Sequence, residues 1–419
     1  MNLIDLSADI FIVAFFLYCF AFIFYCIAVM GKKWSNRDPL LHEKRWGKIA
    51  FTTSSLGLVA HIAFFSLRWA GSGVIPVSNM YEFISTLAMA IMIAHTVFYF
   101  LYKKTVIGMF TLPLAIIVVA YASVFPQEIQ PLIPALNSIW LKIHVTMAAL
   151  GEAFFAIGFA AGLMYLLRVA NFTDKSKKAR RAHFWLEFSL YAIVIVVGFI
   201  VAVFAFKGMG YEATFSEEKA IVDARGNVES KVSTVTYTMP PIVKPFNGQT
   251  VEVQPFLGMK DALLEAPDWM NGVNAARKLN TVIWSIITGS LLYGLFRLIA
   301  RRSISKMIHP ALSEIDPDDL DEISYRAIAI GFPIFTLGAL IFAMIWAEIA
   351  WGRFWGWDPK EVWALVTWLF YSAYLHFRLS RGWQGYKSAW LAVIGFVVVL
   401  FTLVGVNLII AGLHSYAGV

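Results

Sequence analysis

The segment Trp351-Gly-Arg-Phe-Trp355-Gly-Trp357-Asp358-Pro-Lys-Glu361 concentrates the residues best able to do chemistry. Three indoles and a carboxylate fall between residues 351 and 358, flanked by strongly apolar runs. An indole offers a wide apolar face and one N–H donor. Several such faces at a membrane surface suit a large, flat, partly apolar ligand, and a porphyrin is of that kind. Trp and Tyr also gather in aromatic belts at membrane interfaces. A belt does not call for Asp, Lys and Glu at fixed spacing beside it, so the ligand reading is preferred. Asp358 cannot cheaply lie in lipid and is placed at the water interface. There it is expected to bond backbone or an indole N–H and shape the segment, with proton transfer as its other candidate role. Arg353 and Lys360 are candidate charge-assisted donors to ligand carboxylates.

The elements that position this segment follow from composition. The chain has 419 residues, 59% hydrophobic and only 15% charged, which is the make-up of an integral membrane protein. Its formal net charge of +7 is no nucleic-acid signature, because the basic residues sit in short loops beside apolar runs. Cys19 and Cys26 are the only cysteines, and no C-x-x-C exists, so the chain has no dithiol motif of its own. Both are expected to act as small apolar residues. A bilayer needs roughly 20 apolar residues per helix. Ten runs qualify: 9–30, 49–70, 81–102, 105–123, 144–168, 184–206, 279–300, 327–349, 362–380 and 388–411. All are predicted to be helices, because lipid cannot satisfy an open backbone. The run 105–123 is short and carries Pro113. No basic stretch precedes the first run, so it reads as a retained span rather than a cleaved signal.

Most of the 34 Lys and Arg residues fall in alternate short loops, among them Lys32, Lys33, Lys103, Lys104, Arg180, Arg181, Arg301, Arg302 and Arg381. The positive-inside rule makes those loops cytoplasmic. Both termini, the tryptophan segment and the long polar loop 207–276 are then expected outside. The fold class is all-α, a polytopic membrane helix bundle of about ten spans with one external lobe of mixed or β content. We divide it into an N-terminal bundle of six spans (1–206), the extracytoplasmic lobe (207–276) and a C-terminal bundle of four spans (277–419) that holds the segment 351–361. Within the lobe, Val232–Thr238 and Thr250–Gln254 alternate as strands do, around an Asn247-Gly248 turn signal. Pro240, Pro241 and Pro245 argue against a long regular strand.

Topology sorts the eight histidines. His42, His183 and His309 fall at cytoplasmic loops or span edges and read as solvated surface residues. His144 starts the fifth span and His414 follows the tenth, both at the level of the tryptophan segment. Two neutral imidazoles from different helices beside an aromatic shelf make a bis-histidine haem site plausible; interfacial hydrogen bonding is the alternative. His61, His95 and His376 lie inside spans, where an ionisable side chain is a functional candidate by default. His95 and His376 each lie roughly 20 Å from the outer end of their span at 1.5 Å per residue. They match in depth and could ligate one haem, or each could bond a neighbouring helix.

The run Trp351–Glu361 resembles the WWD signature, W-G-x-x-W-x-W-D-x-x-E, of haem-handling membrane proteins. The CcsA/ResC family, CcmC and CcmF carry it. The flanks resemble CcsA/ResC: Gly331-Phe-Pro, Thr336-Leu-Gly338, Trp346-Ala, Trp363-Ala-Leu, Thr367-Trp368, Tyr374-Leu-His376-x-Arg378, Gly405-Val-Asn407 and Gly412-Leu-His414-Ser-Tyr416. Upstream, Pro76-Val-Ser78-Asn79-Met-Tyr81-Glu82 looks like that family too.

The resemblance implies System II cytochrome c biogenesis: haem b is carried to the extracytoplasmic face and attached through thioethers to apocytochrome c bearing a C-x-x-C-H motif. It implies an outer haem held by His144 and His414 on either side of the WWD segment, against Trp351, Trp355, Trp357 and Asp358. It implies that His376 ligates an inner haem, whose second ligand comes from a separate CcsB/ResB-like subunit, with His95 as the internal alternative. A thiol-reducing thioredoxin-like protein and membrane lipid complete the implied partners, in a bacterial cytoplasmic or thylakoid membrane. Family members often carry His within the segment here written Ser72–Pro76; this chain has Val74, so no haem role is assigned there. The region 170–318 exceeds the compact versions of the family, and no function transfers to it. The alternatives are a haem exporter or chaperone without catalytic share, and a b-type electron-transfer subunit. A solute transporter ranks lower, since few carboxylates lie within the spans beyond Glu152 and Glu348.

Overall fold

The structure is a computed structural model that describes residues 2–31, 38–129, 138–222, 228–267 and 274–406. All ten predicted apolar runs are helical where described. Six helices precede the lobe: α1 (Leu3–Met30), α2 (Pro39–Ser72), α3 (Met80–Tyr102), α4 (Val106–Ala122), α5 (Ile139–Val169) and α6 (Lys177–Gly208). After it come α7 (Ala275–Ala300), short α8 (Ile304–Ile308), α9 (Pro317–Phe335), α10 (Ala343–Trp351), α11 (Pro359–Ser380) and α12 (Tyr386–Leu400). α9 and α10 form one path, Pro317–Trp351, widened in its middle by the π-helical stretch Thr336–Phe342. Among the described residues, eight helices are long and apolar enough to cross a bilayer. The other two predicted spans are α4, an apolar helix of 17 residues, and α11, whose 22 residues include Lys360, Glu361, His376 and Arg378. The protein is an all-α polytopic membrane protein with a small β-containing lobe.

Helices outrun the apolar stretches where the flanking residues favour it. α2 begins at Pro39, well before the apolar run at 49. Asp38 caps it by accepting from Leu40 N at 2.8 Å, and Pro39 occupies the first helical position.

The chain forms two compact units, Met1–His183 with Ser305–Val404, and Phe184–Ile304. In the first, α5 is the central helix, with 89% of its apolar stretch buried. Its small residues set how closely neighbours approach. A Cβ on Gly151 would fall 2.7 Å from the backbone of Phe335, so α5 and α9 pack backbone to backbone. This is how helices associate in lipid, where apolar burial gives little drive and small residues permit close van der Waals contact. Two buried ion pairs tie helix ends. Arg68 Nε meets Glu82 Oε1 at 2.7 Å, and Arg68 also donates to Gln127 O at 2.8 Å. Arg378 meets Asp321 Oδ2 at 2.6 Å and joins α11 to α9.

The second unit holds α6, α7 and the lobe. Its sheet has the order β2 (Val228–Tyr237), β1 (Ala213–Val222), then the later strand β4 (Gln249–Val253), all antiparallel. Two short segments, β3 (Val243–Lys244) and β5 (Leu264–Glu265), pair in parallel. The predicted strands correspond to β2 and β4, and β1 was not foreseen. Asn247 does take a left-handed turn (φ 51°). That turn links β3 to β4, which belong to different sheets, so it closes no hairpin. Asn280 of α7 clamps the lobe: its Oδ1 accepts from Ile242 N at 2.7 Å and its Nδ2 donates to Pro240 O at 3.1 Å. Trp284 Nε1 donates to the same carbonyl at 2.7 Å.

Candidate functional site

The tryptophan segment is the connection between α10 and α11. Gly352 (φ 67°) ends α10 in the left-handed region that glycine adopts without strain, and its N–H closes on Glu348 O at 2.9 Å. Asp358 is the N-cap of α11, with Pro359 next, and it forms a capping box with Glu361. Glu361 Oε2 reaches back to accept from Gly356 N at 2.7 Å and from Asp358 N at 3.2 Å. The two carboxylates therefore hold the loop's own backbone. Asp358 is buried, and its carboxylate accepts from Lys360 N at 3.3 Å.

His144 is brought to this loop. It lies on α5, partly buried, with Nδ1 3.0 Å from Gly338 O in the π-helical stretch. A carbonyl can only accept, so Nδ1 carries the proton and Nε2 bears the lone pair. The bond depends on close approach: a Cβ on Gly338 would run into the backbone of Met147 and Ala148. The widened turn also loosens the regular pairing of its carbonyls, as π-bulges do at functional sites. The His144 ring lies nearly parallel to buried Trp346, with centroids 5.8 Å apart and planes 13° apart. Trp346 meets Trp351 edge to face at 6.3 Å. Leu141, Trp140, Val145 and Ala350 fill in around them.

The other two tryptophans sit further along the loop. Trp355 and Trp357 meet edge to face at 6.1 Å. Trp357 is held at φ 58° with 70% of its surface exposed, a conformation a bulky residue rarely takes. Nε1 of Trp351 and of Trp355 is buried and has no hydrogen-bond partner among the described residues. A buried N–H without an acceptor carries a penalty on the order of 1–3 kcal/mol. Two of them beside an aromatic wall fit a flat ligand that brings its own acceptors. Arg353 is exposed, and its guanidinium lies across Gly356.

The remaining candidates are dispersed. His414 lies outside the described residues. His376 is on the exposed side of α11, about 26 Å along the helix from Pro359. Its Nδ1 is 3.4 Å from Ser380 Oγ of the next turn. His95 is fully buried with both ring nitrogens engaged. Thr111 Oγ1 gives its proton to Ile107 O at 3.0 Å, so it accepts from His95 Nδ1 at 2.8 Å. Tyr25 OH then donates to Nε2 at 3.2 Å. That leaves His95 no lone pair for a metal, and it reads as a buried histidine joining α1, α3 and α4. His61 likewise bonds Tyr18 OH at 3.2 Å. His42 and His309 are not free surface residues: they bond Ile27 O at 3.0 Å and Leu167 O at 2.8 Å.

Sequence reasoning gave no role to Trp346 or Gly338. Both stood in the quoted motifs: Trp346 precedes Trp351 by about a turn and a half, and Gly338 is the residue whose carbonyl meets His144.

Comparison with known proteins bears on the whole chain. The family model described as cytochrome C assembly protein matches residues 77–216 and 278–414. The cytochrome c biogenesis protein CcsA of Synechocystis sp. is 30% identical over 421 residues, covering 99% of both chains. That of Trichormus variabilis is 33% identical over 353 residues, covering 83% of this chain and 82% of its own. That of Microcystis aeruginosa is 32% identical over 358 residues, covering 84% and 83%. With the signature loop and the imidazole stacked on Trp346 described above, these matches place the chain in the cytochrome c assembly protein family, among its CcsA members.

Proposed function

We propose that this protein delivers haem to the extracytoplasmic face and attaches it to apocytochrome c, acting in cytochrome c maturation with a CcsB/ResB-like subunit. The observation that carries the reading is His144. It is fixed as the Nδ1–H tautomer by Gly338, laid flat on Trp346, and set beside the indoles of the signature loop. Nε2 is the nitrogen an iron centre needs, and a partner fixing the other nitrogen is how ligating histidines are oriented. His414 would be the second histidine to hold the haem in this reading. Trp351 and Trp355 offer buried N–H donors and apolar faces to the macrocycle, and Arg353 and Lys360 pair with its carboxylates.

The chemistry is addition of two thiols across two vinyl groups. Each sulfur bonds to the inner vinyl carbon, the thiol hydrogen ends on the outer one, and no electrons leave the pair of reactants. The chain contributes placement: a rigid wall that limits rotation of the macrocycle, so each vinyl meets one thiol. His376, on the exposed side of its helix, ligates haem within the membrane together with a ligand from the partner subunit.

Substituting His144→Ala or His414→Ala in the complete complex is expected to abolish haem attachment to a reporter cytochrome c, read by haem-stained gels. His95→Gln is expected to leave attachment in place. Normal attachment in the His144/His414 double variant would sink the bis-histidine reading.

A further inference from the structure

Leu257 is 87% exposed, the most exposed large apolar side chain among the described residues. The next, Leu298 at 77%, belongs to α7, a helix apolar and long enough to cross the membrane. Leu257 is also held at φ 48°, a left-handed conformation that favours Gly or Asn and disfavours a branched bulky residue. A leucine that is both strained and exposed is badly placed for water.

Its level in the fold resolves this. Phe256, the preceding residue, packs its ring against Phe206 of α6 at 5.3 Å and Trp284 of α7 at 5.9 Å. Phe206 is in the last turn of α6, and Trp284 lies within the apolar run of α7. The turn is closed by Met259 N to Phe256 O at 2.9 Å and by Phe256 N to Met259 O at 3.2 Å. The segment before it is tied to the end of α6 by Tyr211 OH donating to Gln254 O at 2.7 Å. So the turn is fixed at the level where both helices enter the apolar layer. Exposed apolar residues continue on those helices: Phe204 and Met209 on and just beyond α6, Val282 and Ile286 on α7. Lys260, exposed and next in sequence, suits anionic headgroups.

We propose that the turn Phe256–Met259 dips into the bilayer surface, with Leu257 as the inserted side chain. The occupant of this patch is lipid, because the patch continues the lipid-facing surface of α6 and α7. The lobe is then held by the membrane as well as by Asn280 and Trp284.

The test uses the full chain in nanodiscs of phosphatidylcholine and phosphatidylglycerol, with Cys19 and Cys26 replaced by Ala. A nitroxide is attached at Leu257→Cys, at Glu252→Cys as an exposed lobe control, and at Ile286→Cys as a lipid control. Collision rates with oxygen and with a water-soluble nickel chelate give depth. The expected result is a label at position 257 that favours oxygen, as at 286, and a label at 252 that favours nickel. Nickel accessibility at 257 equal to that at 252 overturns the proposal. Protection at 257 from both reagents also overturns it, since protein would then cover the turn. Leu257 is 87% exposed, so its replacement leaves the fold intact, which a label at 252 in a chain that also carries Leu257→Ala verifies by matching the signal of the Glu252→Cys chain.

Discussion

Asp358 illustrates how a single residue's work can be read from its partners. Its carboxylate caps α11, while Glu361 grips the loop backbone from the next turn. Asn is as good an N-cap as Asp, whereas Ala costs about 1 kcal/mol of helix-start stability. Asp358→Asn is therefore expected to retain haem attachment to a reporter cytochrome c, and Asp358→Ala to reduce it several-fold. Loss in Asn equal to that in Ala would assign the carboxylate a proton-transfer role instead. The tryptophan cluster was fully legible as sequence, because three indoles in so short a span need no fold to be noticed. The ring that His144 rests on was not. Trp346 sits inside an apolar run where a tryptophan looks ordinary, and only the contact between α5 and the π-helical stretch makes it special. His95 erred the other way. Depth alone made it a ligand candidate, and the hydroxyls of Tyr25 and Thr111, remote in sequence, take both its nitrogens.

At the scale of elements, ten spans could be read from hydropathy because each buries or greases an entire helix. Their ends could not, since polar residues such as those of Pro39–Lys48 extend a helix into water without changing its apolar count. The π-helical widening was invisible, having no compositional mark. It nonetheless shapes the candidate site, because Gly338 must touch α5 backbone for its carbonyl to reach His144. Gly338→Val is expected to push these elements apart and release His144. Haem attachment should fall to the level of His144→Ala, while α-helical circular dichroism stays near wild type. Retained attachment in Gly338→Val would mean that the close contact does not orient the imidazole. In the lobe, alternation found β2 and β4 but missed their central partner β1, whose Glu217-Glu218-Lys219 run reads as a solvated stretch rather than as the middle of a sheet.

For the molecule as a whole, the basic loops predict an orientation that can be checked directly. Single cysteines at Lys103, Lys178 and Arg301 are expected to resist a membrane-impermeant thiol reagent on intact cells, and cysteines at Glu252 and Arg353 to react. Labelling in the opposite pattern would invert the protein and move the signature loop to the cytoplasm. Membrane character and family were open to sequence reading, since they rest on composition and a contiguous motif. What brings a histidine on the fifth helix to a loop after the tenth is not contiguous, and it appears only when α5 lies buried at the centre of its unit.

The π-helical stretch also makes the spacing between two motifs a matter of count rather than composition. Thr336–Phe342 holds one residue more than a regular helix would need over the same rise. Deleting any one of those seven residues would let the helix close into regular α form. Everything after it would then keep its place, but Gly338 would rejoin the regular helical ladder and its carbonyl would leave the His144 imidazole. His144 would lose the partner that fixes its tautomer, with every residue of the signature still present. The length of that unremarkable apolar stretch is thus under as tight a restraint as the tryptophans themselves.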